Sequence, residues 1–147
     1  MARILVVDDD SDLRRLLCNL LGEEGHAVQA AGDGQRAVEM VLNSPPELVV
    51  LDVMMPRMDG FQVLDSLRAA RVPGVKVLVL TARSSESDWA EGYRRGADHY
   101  LSKPFDPDEF CEAVDDILAM SKEQLKVKRL RELEKAQLLS QLESIFD

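Results

Sequence analysis

"ILVVDDDSDLRR", residues Ile4 to Arg15, is the stretch on which the fold turns. An uninterrupted apolar run ends in three consecutive aspartates, and a leucine-spaced segment follows at once. Strands covered on both faces read as continuous apolar runs, and such strands belong to parallel sheets. The same unit recurs along the chain. "ARILVV" (2–7), "AVQAA" (27–31), "ELVVLD" (47–52), "VKVLVL" (75–80) and "DHYLS" (98–102) read as strands. Between them, 11–25, 34–44, 60–71 and 85–96 read as helices, and another starts at Asp106. Leu13, Leu16, Leu17, Leu20 and Leu21 sit at helical spacing, and Gly25 and the Pro45-Pro46 pair stop the first two helices. Asp106, Pro107 and Glu109 form a helix start: a capping carboxylate, a proline in the first turn and a glutamate three residues on. Five strand–helix units in strict alternation predict an α/β fold, a doubly wound five-stranded parallel sheet with helices on both faces.

A chain of 147 residues favours one domain with length to spare, large enough to bury a core without staples. Its two cysteines, Cys18 and Cys111, lie far apart in helical segments and suggest no disulfide. No apolar run is long enough to span a bilayer, and the chain enters a strand with no leader pattern, so a cytoplasmic protein without membrane insertion is expected. Net charge is −9, with six Lys/Arg against five Asp/Glu in 121–147, so residues 1–120 carry −10. An acidic body repels phosphates, which argues against direct nucleic-acid binding, and it suits a cation.

In open sheets of this class, ligands sit just beyond the carboxyl ends of the strands. That rule selects Asp8-Asp9-Asp10, Asp52, Thr81 and Ser102-Lys103. Carboxylates crowded together need compensation or their pKa values rise. A divalent ion supplies it, and Mg2+ accepts a few carboxylates and carbonyls while leaving positions for phosphate oxygens. Acids, a hydroxyl from Thr81 and a lysine around a metal make a phosphoryl-transfer site whose acceptor is a nucleophilic carboxylate. Asp10 reads as a helix cap, Asp59-Gly60 as a turn into the third helix, the side chains of Met54, Met55 and Met58 as loop packing, and His26 and His99 as structural.

"VVDDD", "LDVMMPRMDG", "LTA" and "YLSKPF", in this order and spacing, resemble the receiver domain of two-component response regulators over about residues 2–120. The resemblance implies a flavodoxin-like (βα)5 fold and a phosphorelay switch rather than an enzyme. Asp52 would be the phosphoacceptor. Asp8, Asp9, Asp52 and the Met54 backbone carbonyl would hold Mg2+, and Thr81 and Lys103 would contact the phosphoryl oxygens. Tyr100 matches the aromatic that changes rotamer with Thr81 on activation. The Lys103–Pro104 bond is expected to be cis, and Arg83 is placed at the pocket mouth. The implied partners are a sensor histidine kinase or phosphotransfer protein and a downstream protein target. Phosphorylation adds charge beside Lys103 and Thr81, and the surface expected to change is the fourth helix, fifth strand and fifth helix.

After Met120 no glycine or proline occurs, so the fifth helix is expected to run on from Asp106 to about Ile145, about 60 Å. The domains are then 1–120, a receiver, and 121–147, an extension serving as dimerisation segment or linker. Leu138, Leu142 and Ile145 share one face, which suggests a homodimer, with folding back onto the domain as the alternative. Lys126, Lys128, Arg129 and Arg131 read as a solvated helix face. Competing readings are an N-terminal receiver fragment of a larger regulator whose DNA-binding or enzymatic output is absent, a phosphate-independent receiver-like module, and an aspartate-nucleophile phosphatase of the dehalogenase type. The last needs a cap insertion for which the chain has no room, and it leaves Asp52 without a purpose.

Overall fold

The computed structural model describes residues 1–147 except 56, 57, 71, 73, 83–85 and 147, together with all side chains but those of 86 and 146 in the remainder. Strands β1 (Arg3–Val7), β2 (Ala27–Ala31), β3 (Leu48–Leu51), β4 (Lys76–Thr81) and β5 (His99–Ser102) form one parallel sheet in the order β2-β1-β3-β4-β5. The helices are α1 (Ser11–Glu23), α2 (Gly34–Asn43), α3 (Gly60–Ala69), α4 (Glu86–Arg94), α5 (Pro107–Ala119) and α6 (Lys122–Phe146). This is the doubly wound arrangement that the apolar runs predict. Alternate strand residues serve two cores. Ile4, Val6, Val50 and Leu78 pack with Leu17, Leu21, Phe110 and Ile117 of α1 and α5, whereas Leu5, Val7, Leu51 and Val79 pack with Ala37, Val41, Phe61, Leu64 and Tyr93 of α2, α3 and α4. β2 differs from the other strands: at the sheet edge, Ala27, Gln29 and Ala30 stay exposed.

Four helices open on an aspartate that accepts from the first turn. Asp10 takes the Asp12 and Leu13 N–H groups, Asp33 that of Arg36, Asp59 that of Gln62, and Asp106 that of Glu109. Gln62 reciprocates by accepting from the Asp59 N–H, which closes a capping box.

The single continuous last helix expected from Asp106 is corrected here. α5 stops at Ala119, Met120 is extended (φ −83°, ψ 141°), and a separate long helix begins. No glycine or proline is required for this break. Ser121 caps α6 by accepting from the Gln124 N–H at 3.1 Å while its own N–H donates to Gln124 Oε1 at 2.8 Å. The Lys76 ammonium closes α5 by donating to the carbonyls of Ile117, Leu118 and Met120.

α6 turns back along the domain. Leu125 is buried in the α1/α5 core, Leu133 packs against the opposite core, and Ala136 is 2% exposed where α6 meets α4. The helix therefore passes the β5 edge of the sheet, and Leu138, Leu142 and Ile145 remain on the solvent side. Lys128 is no solvated charge: it is half-buried and donates to the Asp98 carbonyl at 2.9 Å and to His99 Nδ1 at 2.8 Å.

An ammonium donor fixes His99 Nδ1 as an acceptor, so this imidazole is neutral. Burial, reinforced by the Lys128 charge, holds its pKa down at about 4 against an ordinary 6.5. Between those values the unfolded chain binds more protons, so stability falls as pH drops from 6.5 toward 4. The slope contributed is at most about 1.4 kcal/mol per pH unit. Urea midpoints measured at pH 7, 6 and 5 are expected to fall, and His99→Asn is expected to flatten the decline.

Candidate functional site

Strand register builds the site. Val7 pairs with Leu51, Leu51 with Val79, and Val79 with Tyr100; β1 and β3 end at this level, and β4 and β5 run two residues further, to Thr81 and Ser102. Asp8 follows Val7 and Asp52 follows Leu51, and each extends the ladder by one bond: Asp52 N–H to Val7 O at 3.0 Å, Asp8 N–H to Ala31 O at 3.2 Å. Asp8 is 1% and Asp52 5% exposed, while Asp9 faces solvent. One oxygen from each of Asp8, Asp9 and Asp52 lies within 4.8 Å of the others, the one such cluster among the described residues.

The two inner carboxylates share a local design. Asp8 Oδ1 accepts from the Asp10 N–H at 2.9 Å, and Asp52 Oδ1 accepts from the Met54 N–H at 3.0 Å. Each keeps Oδ2 for Lys103, whose Nζ stands 3.4 Å from Asp8 and 3.3 Å from Asp52. Lys103 comes from the end of β5, and its N–H donates to the Thr81 carbonyl at 2.8 Å. Its peptide bond to Pro104 is cis. Thr81 is fully buried at the end of β4, opposite Ser102.

In this cluster of three carboxylates, one lysine pairs with Asp8 and Asp52. Burial, the largest influence, and then the Asp52 charge hold the Asp8 carboxyl above its ordinary range, while the Asp10 N–H and Lys103 pull the other way. Hard oxygen donors with a deficit of positive charge fit a small divalent cation such as Mg2+. An ionised carboxylate beside a lysine and a hydroxyl-bearing strand end can act as a nucleophile toward phosphorus.

Asp8, Asp9, Asp52 and Lys103 are brought together, with Thr81 joined to Lys103 through the backbone. Met54 supplies its N–H to Asp52, and its side chain points outward, 54% exposed. Tyr100 is buried, with its ring against Gly92 of α4. Asp10 is occupied in capping α1. Arg83 lies outside the described residues. Cys18 and Cys111 are both free thiols, and His26 Nδ1 accepts from the Ala2 N–H. Arg14 was not singled out by the sequence: its Nη1 donates to the Asp8 carbonyl at 2.6 Å. A basic residue in the first turns of α1, six positions after Asp8, is the signal that was available.

The family model described as "Response regulator receiver domain" matches residues 4–115. The response regulator MprA of Mycobacterium ulcerans (strain Agy99) is 42% identical over 134 residues, 91% of this chain and 54% of that protein. That of Mycobacterium sp. (strain KMS) is 48% identical over 103 residues, 70% of this chain and 44% of that protein. The chain spans about half the length of the curated relatives it matches. The receiver domain of the Francisella response regulator 1452 superposes with a TM-score of 0.76 at 31% identity, covering 80% of this chain and 97% of that one.

Proposed function

This chain belongs to the response regulator receiver domain family, and we propose that it is a phosphorylation-controlled switch whose phosphoacceptor is Asp52. The observation that carries the reading is Asp52 itself. It is a buried strand-end carboxylate with one oxygen held by the Met54 N–H, the other beside Lys103, and two further carboxylates within 4.8 Å.

In the step proposed, an Asp52 carboxylate oxygen forms a bond to phosphorus as the bond from phosphorus to the donor breaks, P–N in a phosphohistidine and P–O in acetyl phosphate. The leaving group departs with that electron pair. Lys103 gives up its contact with Asp52 Oδ2 and pairs with a phosphoryl oxygen, as a point charge can. Thr81 offers its hydroxyl to another. Burial keeps competing water from the inner carboxylates. Asp8, Asp9, Asp52 and the Met54 carbonyl would hold Mg2+, which when bound supplies the positive charge that offsets the phosphoryl oxygens. The donor proposed is a sensor histidine kinase or phosphotransfer protein in the cytoplasm, and the output is altered contact with a protein target. A small phosphodonor such as acetyl phosphate with Mg2+ should add one phosphoryl group to the purified chain, read by intact mass. No label would overturn the reading.

A second reading is favoured by the share of the relatives covered. Residues 1–120 would be the receiver, with 121–147 leading toward an output domain of a longer regulator; the reading frame of the gene decides.

Asp8 gives an independent prediction. A folded-state pKa above the unfolded one contributes stability fully present below the unfolded pKa and lost as pH rises through the folded pKa, so at neutral pH the ionised Asp8 is a cost. Asp8→Asn keeps the acceptor for the Asp10 N–H and removes the charge. Without Mg2+ its melting temperature is expected to exceed that of the unsubstituted protein by a few degrees. With Mg2+ the order should reverse, because only the intact carboxylate set gains stability from the ion. Melting curves with and without millimolar Mg2+ check both signs.

A further inference from the structure

α6 lies where a change at Asp52 would have to travel. Lys128 Nζ donates to the Asp98 carbonyl at 2.9 Å and to His99 Nδ1 at 2.8 Å, and it stands 3.4 Å from the Tyr93 hydroxyl. Tyr93 is buried on α4 and hydrogen-bonds the Tyr100 backbone. The Tyr100 ring presses against Gly92, where an added Cβ would come within 2.9 Å of it. β5 is only four residues long. Its start carries the Lys128 acceptors, and its end runs straight into Lys103, which holds Asp8 and Asp52. Further along, Lys135 Nζ lies 5.5 Å above the ring of Trp89, and Ala136 is buried against α4.

We infer that α6 is an intramolecular cover of the α4–β5 face, and that loading Asp52 with a phosphoryl group weakens its docking. The inference rests on the phosphoacceptor reading above. Drawing Thr81 and Lys103 toward a phosphoryl group acts on the ends of β4 and β5, which are tied by the Lys103 N–H bond to the Thr81 carbonyl at 2.8 Å. β5 cannot shift independently of α4, because Tyr100 and Gly92 are already in close contact. The partners of Lys128 are divided between these two elements, Tyr93 on α4 and Asp98-His99 at β5, so a change in their spacing breaks the set together.

The cover is built to separate. Met120 is extended, Ser121 caps α6 by itself, and Lys76 closes α5 without help from α6. α5 therefore keeps its end when α6 leaves. Burial draws the Lys128 ammonium below its ordinary pKa range, so the contact carries a desolvation cost that favours release once an acceptor is lost. Away from the domain, a single helix of this length is marginal in water and frays. Coupling of this kind is reciprocal: what loosens α6 must also favour loading of Asp52.

Hydrogen exchange of the full chain with Mg2+ and beryllofluoride, a phosphoryl mimic on carboxylates, tests this. Amides of residues 128–140 are expected to exchange about tenfold faster when beryllofluoride is bound, with α1 and α5 unchanged. Lys128→Ala and Ala136→Asp should each show the faster exchange without beryllofluoride. Both should also bind it about tenfold more tightly, titrated through Trp89, the one tryptophan of the chain. Slowed exchange around Asp52 with α6 unchanged or slower would overturn the cover and leave the phosphoacceptor reading intact. No response to beryllofluoride anywhere would overturn both. If Ala136→Asp does not fold, Lys128→Ala alone decides.

Discussion

Asp52→Asn is expected to lower phosphoryl incorporation from acetyl phosphate and Mg2+ by at least about a thousandfold, to the background of the assay. The amide oxygen is a far weaker nucleophile than a carboxylate, because its lone pairs are not those of an anion. Little else should change. Asparagine has the same shape and still accepts from the Met54 N–H, which Asp52 Oδ1 does at 3.0 Å. Asp8, Thr81 and Lys103 keep their backbone anchors. Removing the Asp52 charge also removes one of the influences that hold the Asp8 carboxyl high, so the variant should fold at least as stably as the parent. Loss of label in a protein of undiminished stability therefore isolates the nucleophile from the scaffold. Two neighbouring carboxylates make the experiment discriminating. If Asp8 or Asp9 were the true acceptor, the variant would still gain a phosphoryl group, and peptide mapping would place it in 4–15 instead of 47–60.

How far this could be read beforehand depended on where each interaction is encoded. The sheet is legible because β1, β3 and β4 carry unbroken apolar runs over 4–7, 48–51 and 77–80, and the helix starts because aspartates and a proline occupy cap positions. Parallel order then places Asp8, Asp52, Thr81 and Lys103 at adjacent strand ends, since parallel strands carry every carboxyl end to the same edge. Three things escaped. The break at Met120 carries no glycine or proline, so the usual helix stops do not mark it. Ser121 and Gln124, a capping box, stood in the sequence and marked a new start. The burial of Lys128 depends on the Asp98 carbonyl, which periodicity cannot place beside it. The tail offers two apolar stripes, Leu125–Leu133–Ala136 and Leu138–Leu142–Ile145. Spacing alone gives no reason to prefer the first, which contains a small alanine, over the second, which contains only large residues. The surface of α4 makes that choice.

Gly60→Ala is expected to cost about 3 kcal/mol or more and to lower the melting temperature by about 10 °C. The reason is not conformational freedom. A Cβ at this position would lie 2.4 Å from Val53 Cα and 2.5 Å from the Asp52 carbonyl oxygen, so it meets backbone rather than a side chain that can turn away. Gly60 is the first residue of α3, and its N–H donates to the Val53 carbonyl at 3.1 Å. The new methyl must push the 52–53 peptide or the start of α3, and both are pinned. Asp52 is held to Val7 through its N–H, and α3 is fixed by the Asp59–Gln62 box. Gly22→Ala makes the same chemical change on α1, where an added Cβ has nothing within 4 Å. There the expected sign is opposite, a gain of up to about 1 kcal/mol from helix propensity. A pair of thermal melts compares them directly. Because the peptide that Gly60 crowds is the one carrying Asp52, whatever Gly60→Ala protein folds should also label poorly with acetyl phosphate, while Gly22→Ala labels normally. Equal labelling by both variants would mean that the Asp52 loop absorbs the methyl, and that close backbone packing behind the site does not set the carboxylate's position.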